Sequence, residues 1–236
     1  LAQLIYWGII TWNEIFDKQL LQTVWQSFGI ALLSAVATAM AALMLIYLPA
    51  WNRLQGVRLF ARSATMGYAI PGAIIAIGIL IPMLAADKFL IGLLNEHLGM
   101  NTGFIINGTV VVLVYAYIVR FLTVAYQPVE SATLKIGRHL SEASRMLGNG
   151  RLSTLGKIEL PLIKTGLVSA VILVFVDVLK ELPMTLILKP YNINTLAVQA
   201  YGYASDEMVA EASLPSLFII VTCAIVIGYL HKFAVR

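Results

Sequence analysis

VWQSFGIALLSAVATAMAALMLIYL, residues 24–48, is the stretch from which the rest of the chain is read. No charged residue stands between Lys18 and Arg53. About twenty consecutive apolar residues carry a helix across the hydrocarbon core of a bilayer, and this interval exceeds that length, with Pro49 expected to stop the helix. The composition extends the reading to the whole chain. Of 236 residues, 60% are hydrophobic and only 12% charged, too few charges to cover a soluble domain of this size. The expected class is an all-α integral membrane protein.

Four further spans follow, over about 64–84, 109–126, 166–188 and 214–229, which makes five. The second contains Pro71, Gly72, Gly78 and Pro82, so it is expected to be bent or broken, which neighbouring helices can accommodate. The third holds Arg120 in its interior, and the fourth holds Asp177, Lys180 and Glu181. Residues 87–101 set Phe89, Leu90, Leu93, Leu94 and Leu98 at helical spacing among charges and read as an interfacial helix. Residues 189–211 read as an extramembrane loop with one short helix. The apolar run from Leu4 to Ile10 is too short to span and has no leader-like flanks. It reads as the end of a preceding helix, so the chain is expected to be a fragment or a split half. The expected division is 1–19 as helix end and outer linker, 20–232 as the transmembrane domain, and 233–236 as a tail.

Orientation follows from charge. Arg53, Arg58, Arg62, Lys135, Arg138, Arg145, Arg151, Lys157, Lys164, Lys232 and Arg236 fall on one face, eleven of the sixteen basic residues. That face is expected in the cytoplasm, which places the N-terminus outside and the C-terminus inside. The opposite loops hold Glu14, Asp17, Asp87, Glu96, Asp206, Glu207 and Glu211 against Lys18, Lys88 and Lys189. The net charge of +4 is thereby explained without a nucleic-acid partner. Cys223 stands alone in an apolar run, leaving no disulfide framework or thiolate metal site. His97, His139 and His231 fall in loops on opposite faces and do not converge on a metal. The sequence has no GxxxxGK[ST] phosphate loop, so the chain is not itself an ATPase. It also offers no nucleophile–base constellation for an intramembrane enzyme.

The informative segment is the loop 128–164, with Glu142-Ala143-Ser144-Arg145-Met146-Leu147-Gly148 followed by Ile158-Glu159-Leu160-Pro161. Ser141 can cap a short helix through its hydroxyl. Leu140, Ala143 and Leu147 share one apolar face, Gly148 supplies a left-handed terminator, and Pro161 suits the start of the next span. An exposed amphipathic helix between two spans either docks into a partner's groove or lies on the headgroups.

This pattern resembles the EAA loop of type I ABC importer permeases: Glu-Ala-Ala, three residues, Gly, nine residues, Ile-x-Leu-Pro. The match is at Glu142, Ala143, Gly148, Ile158, Leu160 and Pro161, with Ser144 in place of alanine, and the resemblance covers about residues 20–230. It implies that the loop helix fits a cleft on a separate ABC ATPase dimer, filled by Leu140, Ala143, Met146 and Leu147 with Glu142 and Arg145 at the rim. ATP and Mg would sit on that partner, and this chain would bind no cofactor. It also implies a second permease module, a substrate-binding protein, and alternating access around a site near mid-membrane.

A narrower resemblance joins residues 180–190, KELPMTLILKP, and Asn194-Thr195-Leu196-Ala197 to the fourth-span region of ferric-iron permeases. Those usually read KELPATLLLRP, with Met184 and Lys189 departing here. The stretches Tyr6-Trp7, Gly67-Tyr68-Ala69-Ile70-Pro71-Gly72 and Val119-Arg120-Phe121-Leu122 look similar to the same subfamily. The implied cargo is ferric iron and the implied place the C-terminal module of a tandem pair. Thiamine, a polyamine, a phosphonate or another oxyanion remains the alternative cargo. From the residues alone, Asp177, Lys180 and Glu181 at i, i+3 and i+4 would share one face of the fourth helix, with Pro183 just beyond, while Arg120 sits inside the third. Charges at that depth cost several kcal/mol unless paired or hydrated. They read as an internal ion-pair cluster, as oxygen ligands along the path of a hard cation, or as the relay of an ion-coupled carrier. Tyr191, Tyr201 and Tyr203 on the outer face read as a headgroup belt or a docking surface.

Overall fold

The computed structural model describes residues 1–51, 63, 66–98, 103–136 and 138–234. Among these no strand forms, as expected where lipid leaves every backbone polar group to be satisfied within its own segment. Among the described residues, five helices are long and apolar enough to cross a membrane. They are α2 (Lys18–Trp51), α3 (Gly72–Leu98), α4 (Val110–Ile136), α6 (Arg151–Leu179) and α9 (Ser213–Ala234). Shorter helices are α1 (Ala2–Ile10), α5 (Arg138–Met146), α7 (Pro183–Leu188) and α8 (Leu196–Ser205).

The core is the mutual packing of α2, α4 and α6. Small residues make it possible, because apolar helices in lipid gain by close backbone approach rather than by leaving water. Ala31, Ala35, Ala39 and Ala42 line one buried face of α2, and Ala116 and Ala125 answer from α4. At the α4–α6 crossing, a Cβ on Gly166 would stand 2.7 Å from the Pro128 carbonyl oxygen and 2.6 Å from the Ala132 Cβ. The buried hydroxyls of Ser27 and Thr38 donate back to the Thr23 and Ser34 carbonyls of α2, so they enter the core satisfied. α9 lies against α6, α1 against α9, and α3 meets the rest chiefly through α7 and α4.

Several boundaries differ from expectation. α2 continues through Pro49 to Trp51, since a proline this close to the helix end removes only one intrahelical donor. The second span begins at Gly72 rather than near 64. A 3-10 turn, Gly67–Ala69, and extended Ile70 (ψ 134°) precede it, the residue before a proline being driven out of the helical region. Once begun, α3 runs through Pro82 to Leu98, so residues 87–98 continue the span and form no separate interfacial helix. The charge that suggested an interface, Asp87, is fully buried. Its carboxylate accepts the amide N–H groups of Ile105, Ile106 and Asn107 (3.0, 2.8 and 2.7 Å) and the Asn107 side-chain amide (2.6 Å).

The third span extends through Pro128 to Ile136, and the fifth reaches Ala234. The fourth starts early, at Arg151, passes through a π-turn over Leu155–Glu159, and ends at Leu179. Lys180–Leu182 break the helix, and α7 restarts at Pro183, which needs no amide donor at a helix start. Asp177, Lys180 and Glu181 therefore do not share a helical face. Arg53, Arg58, Arg62 and Arg236, counted in the orientation argument, lie outside the described residues, as does the expected start of the second span at 64. Residues 189–211 hold α8, capped by the Thr195 hydroxyl accepting the Val198 N–H at 3.4 Å.

Candidate functional site

The loop between α4 and α6 forms a short helix, α5. Ser141 does not cap it. It sits inside the helix and donates its hydroxyl to Glu159 Oε1 in the π-turn of α6. The end of α5 follows the sequence reading closely. Gly148 takes φ +86°, its N–H reaches the Arg145 carbonyl at 3.1 Å, and the Asn149 N–H reaches Ser144 at 3.2 Å. These are the two bonds of a Schellman terminus, which the left-handed glycine makes possible. Ser144 is 3% exposed, and its hydroxyl shares a 3.0 Å hydrogen bond with that of Thr154. Glu159 also lies beside the Tyr47 phenol of α2. Thus α5 is tied by its polar face to the base of α6 and, through Glu159, to the core.

Its other face is bare. Leu140 is half exposed, Ala143 is exposed, and Met146 and Leu147 are 90% and 84% exposed. Glu142, Arg145 and Met146 line a shallow open depression. At the foot of α6, Ile158 and Leu160 are half-buried, Leu160 packs on the core, and Pro161 is exposed near the start of the α-helical run. The arrangement is an apolar ridge rimmed by one acid and one base, hydrogen-bonded at its back to α6.

The second constellation lies inside the bundle. Arg120 is ten residues into α4, about 15 Å along the axis. Its Nη1 stands 3.3 Å from Glu181 Oε1, which also accepts the Met184 N–H at 3.3 Å. Gly72, opening α3, closes over the pair. A Cβ there would fall 1.6 Å from Arg120 Nη1 and 2.8 Å from Glu181 Oε1. One turn earlier, a Cβ on Gly67 would lie 2.2 Å from the Val119 carbonyl oxygen, and the rings of Tyr68 and Phe121 approach to 6.3 Å. Below the ion pair, the hydroxyls of Tyr117 and Thr185 meet at 2.6 Å, and Thr185 donates to the Glu181 carbonyl at 2.8 Å. Asp177 takes no part: it pairs with Lys180 at 2.8 Å, whose side chain is 60% exposed. Pro183 opens α7 with its ring exposed.

Three sequence stretches far apart in the chain, 67–72, 119–122 and 180–185, are thus brought to one place. Spacing alone did not connect Gly72 to Arg120, Tyr117 to Thr185, Ser141 to Glu159, or Asp87 to Asn107. The available signal was the chemistry of each residue, a glycine after proline or an acid in an apolar run, without an address for its partner. Among the described residues, no group of three or more His, Cys, Asp or Glu side chains comes together as a metal site.

Comparison with known proteins places the chain in a family. Residues 56–236 match the family described as binding-protein-dependent transport system inner membrane component, a range containing α3 to α9. The chain is also 26% identical over 236 residues to the Fe(3+)-transport system permease protein FbpB 2 of Haemophilus influenzae, across 99% of this chain and 44% of that relative. It therefore spans less than half the length of the curated relative it matches. Five membrane-crossing helices and a family match over most of its length lead to one conclusion: this chain belongs to the binding-protein-dependent transport system inner membrane components, the multi-pass permease class of ABC transporters.

Proposed function

We propose that the chain is a permease module of an ATP-driven importer, coupled through α5 to a separate ATPase dimer and carrying ferric iron. The observation that carries the coupling is the bare ridge of Leu140, Ala143, Met146 and Leu147, backed by the Ser144–Thr154 and Ser141–Glu159 bonds. A flexible loop would absorb a partner's motion, whereas a helix bonded at its back hands that motion to α6 and the core. ATP and Mg belong to the partner in this reading. The N-terminus lies outside and the C-terminus inside, so that α5 faces the nucleotide, and a second permease module and a substrate-binding protein complete the assembly. Large exposed apolar faces on α3 and α9, each only 17% buried within the chain, leave room for that second module beside lipid.

Ferric iron is supported by the name of the relative and by the 180–190 stretch. The geometry of the ion pair does not favour Glu181 as a cargo ligand, because its Oε1 already serves Arg120 and the Met184 amide. An internal ion pair accounts for these charges at mid-depth. ATP-dependent uptake of labelled ferric iron into proteoliposomes, with this chain in its full transporter, tests the reading. Uptake above that of transporter lacking the chain supports it, and E142K or L147E should abolish uptake while releasing the ATPase on purification. ATP-driven uptake of thiamine, a polyamine or phosphonate in place of iron would keep the machine and overturn the cargo. Iron uptake that persists with no ATPase bound would overturn the coupling and point to an ion-coupled carrier.

A further inference from the structure

We propose that Gly72, Arg120 and Glu181 form a mid-membrane latch that closes the translocation path and must open in each transport cycle. The proposal rests on the importer reading above. Irregular backbone at membrane depth persists only where protein buries it or where it borders a watery cavity. Two such breaks, 66–71 ahead of α3 and 180–182 after α6, meet here at the depth of Arg120. The ion pair is the bolt across them, joining the break after α6 to the middle of α4 beneath the first turn of α3.

Three features fit a bolt that releases rather than a permanent rivet. The contact is a single Nη1–Oε1 approach of 3.3 Å, not the two-pronged geometry that makes arginine–carboxylate pairs strong. The Arg120 side chain remains 19% exposed within this chain, so the chain's own packing does not seal the pair. And α3, the element closed over the pair, is the most loosely held of the long helices beside α9: its apolar window is 17% buried, against 44% for α4. Moving α3 therefore disturbs less packing than moving α4 would: the latch, the Asp87 cap on residues 105–107, and the buried contacts of Ile75, Ala76 and Ile79. Glu181 has a further anchor in the Met184 N–H, so when Arg120 lets go the carboxylate stays with α7. Gly72 sets the fit, since any side chain there occupies the space of the guanidinium. Arg120 and Glu181 are positioning residues in this scheme, acting through helix placement and not by touching cargo.

The test uses the full transporter in proteoliposomes, reading iron uptake and ATP hydrolysis with and without the binding protein. R120Q and E181Q should each lower uptake about tenfold and raise binding-protein-independent hydrolysis several-fold, and R120Q/E181Q should be no worse than either, as for two residues acting as one unit. G72V should reproduce R120Q. If a single variant fails to accumulate, the neutral double variant, which leaves no orphan charge, should restore accumulation and show the same uncoupled hydrolysis. Single variants with wild-type uptake and hydrolysis would overturn the latch, as would additive losses in the double variant or a fall in hydrolysis parallel to uptake. A wild-type transporter that hydrolyses ATP in response to its binding protein but moves no iron would instead refute the cargo. A chain that retains no ATPase would refute the coupling.

Discussion

At the residue scale, two buried polar groups show how differently a side chain can be read before and after its partner is known. Ser144 stands where the EAA pattern has alanine, and smallness alone would account for it. In the fold its hydroxyl is buried against Thr154 at 3.0 Å, so S144A should cost about 1 kcal/mol by leaving the Thr154 hydroxyl unpaired. S144A/T154V should recover most of that loss, because removing both partners leaves nothing unsatisfied. Thermal stability of the purified transporter in detergent distinguishes the two, and equal losses would deny the hydrogen bond. Asp87 makes the converse point. Its charge suggested exposure, yet four donors surround it, and nothing along the chain between 87 and 105 announces that they will.

At the scale of elements, the two decisive glycines act by different physics. Gly148 is needed for its backbone, being at φ +86° with open space around it. A β-branched residue there should strain the terminus by about 1–2 kcal/mol and fray the end of α5 that carries Met146 and Leu147. G148V is accordingly expected to lose the ATPase during purification while the permease itself stays folded, and full retention would separate the ridge from coupling. Gly166 is needed for its lack of a side chain at the α4–α6 crossing. G166V should drive those helices apart and sharply reduce the yield of monodisperse protein. G228V, at a position in α9 with nothing within 4 Å, should leave the yield close to wild type. Matching behaviour of the two variants would show that α4 and α6 do not cross so closely.

At the scale of the whole molecule, α5 and the outer loops must lie on opposite sides of the membrane for the proposed coupling to work. In a background where Cys223 is replaced by serine, a cysteine at Leu147 should react with a membrane-impermeant maleimide only after the membrane is permeabilised. A cysteine at Tyr191, which is fully exposed, should react from outside in intact cells. The reverse pattern would overturn the orientation and the coupling with it. The helices also divide by packing: α2, α4 and α6 share a packed core, whereas α3 and α9 bury little within the chain. In the proposed coupling, motion passed on by α5 would enter through the best-packed helix group and be expressed where the packing is thinnest.

The amino-acid sequence by itself determined the membrane class, the number of spans and the presence of a short helix ended by Gly148. Each is a local property: hydropathy is summed along one segment, and in lipid each helix satisfies its own backbone. Only the tertiary structure decided where the second span begins and the fourth breaks, and which charge meets which. Arg120 and Glu181 are 61 residues apart in the chain. Their meeting depends on how closely helices can approach, which small residues scattered over several segments set jointly and no single segment encodes.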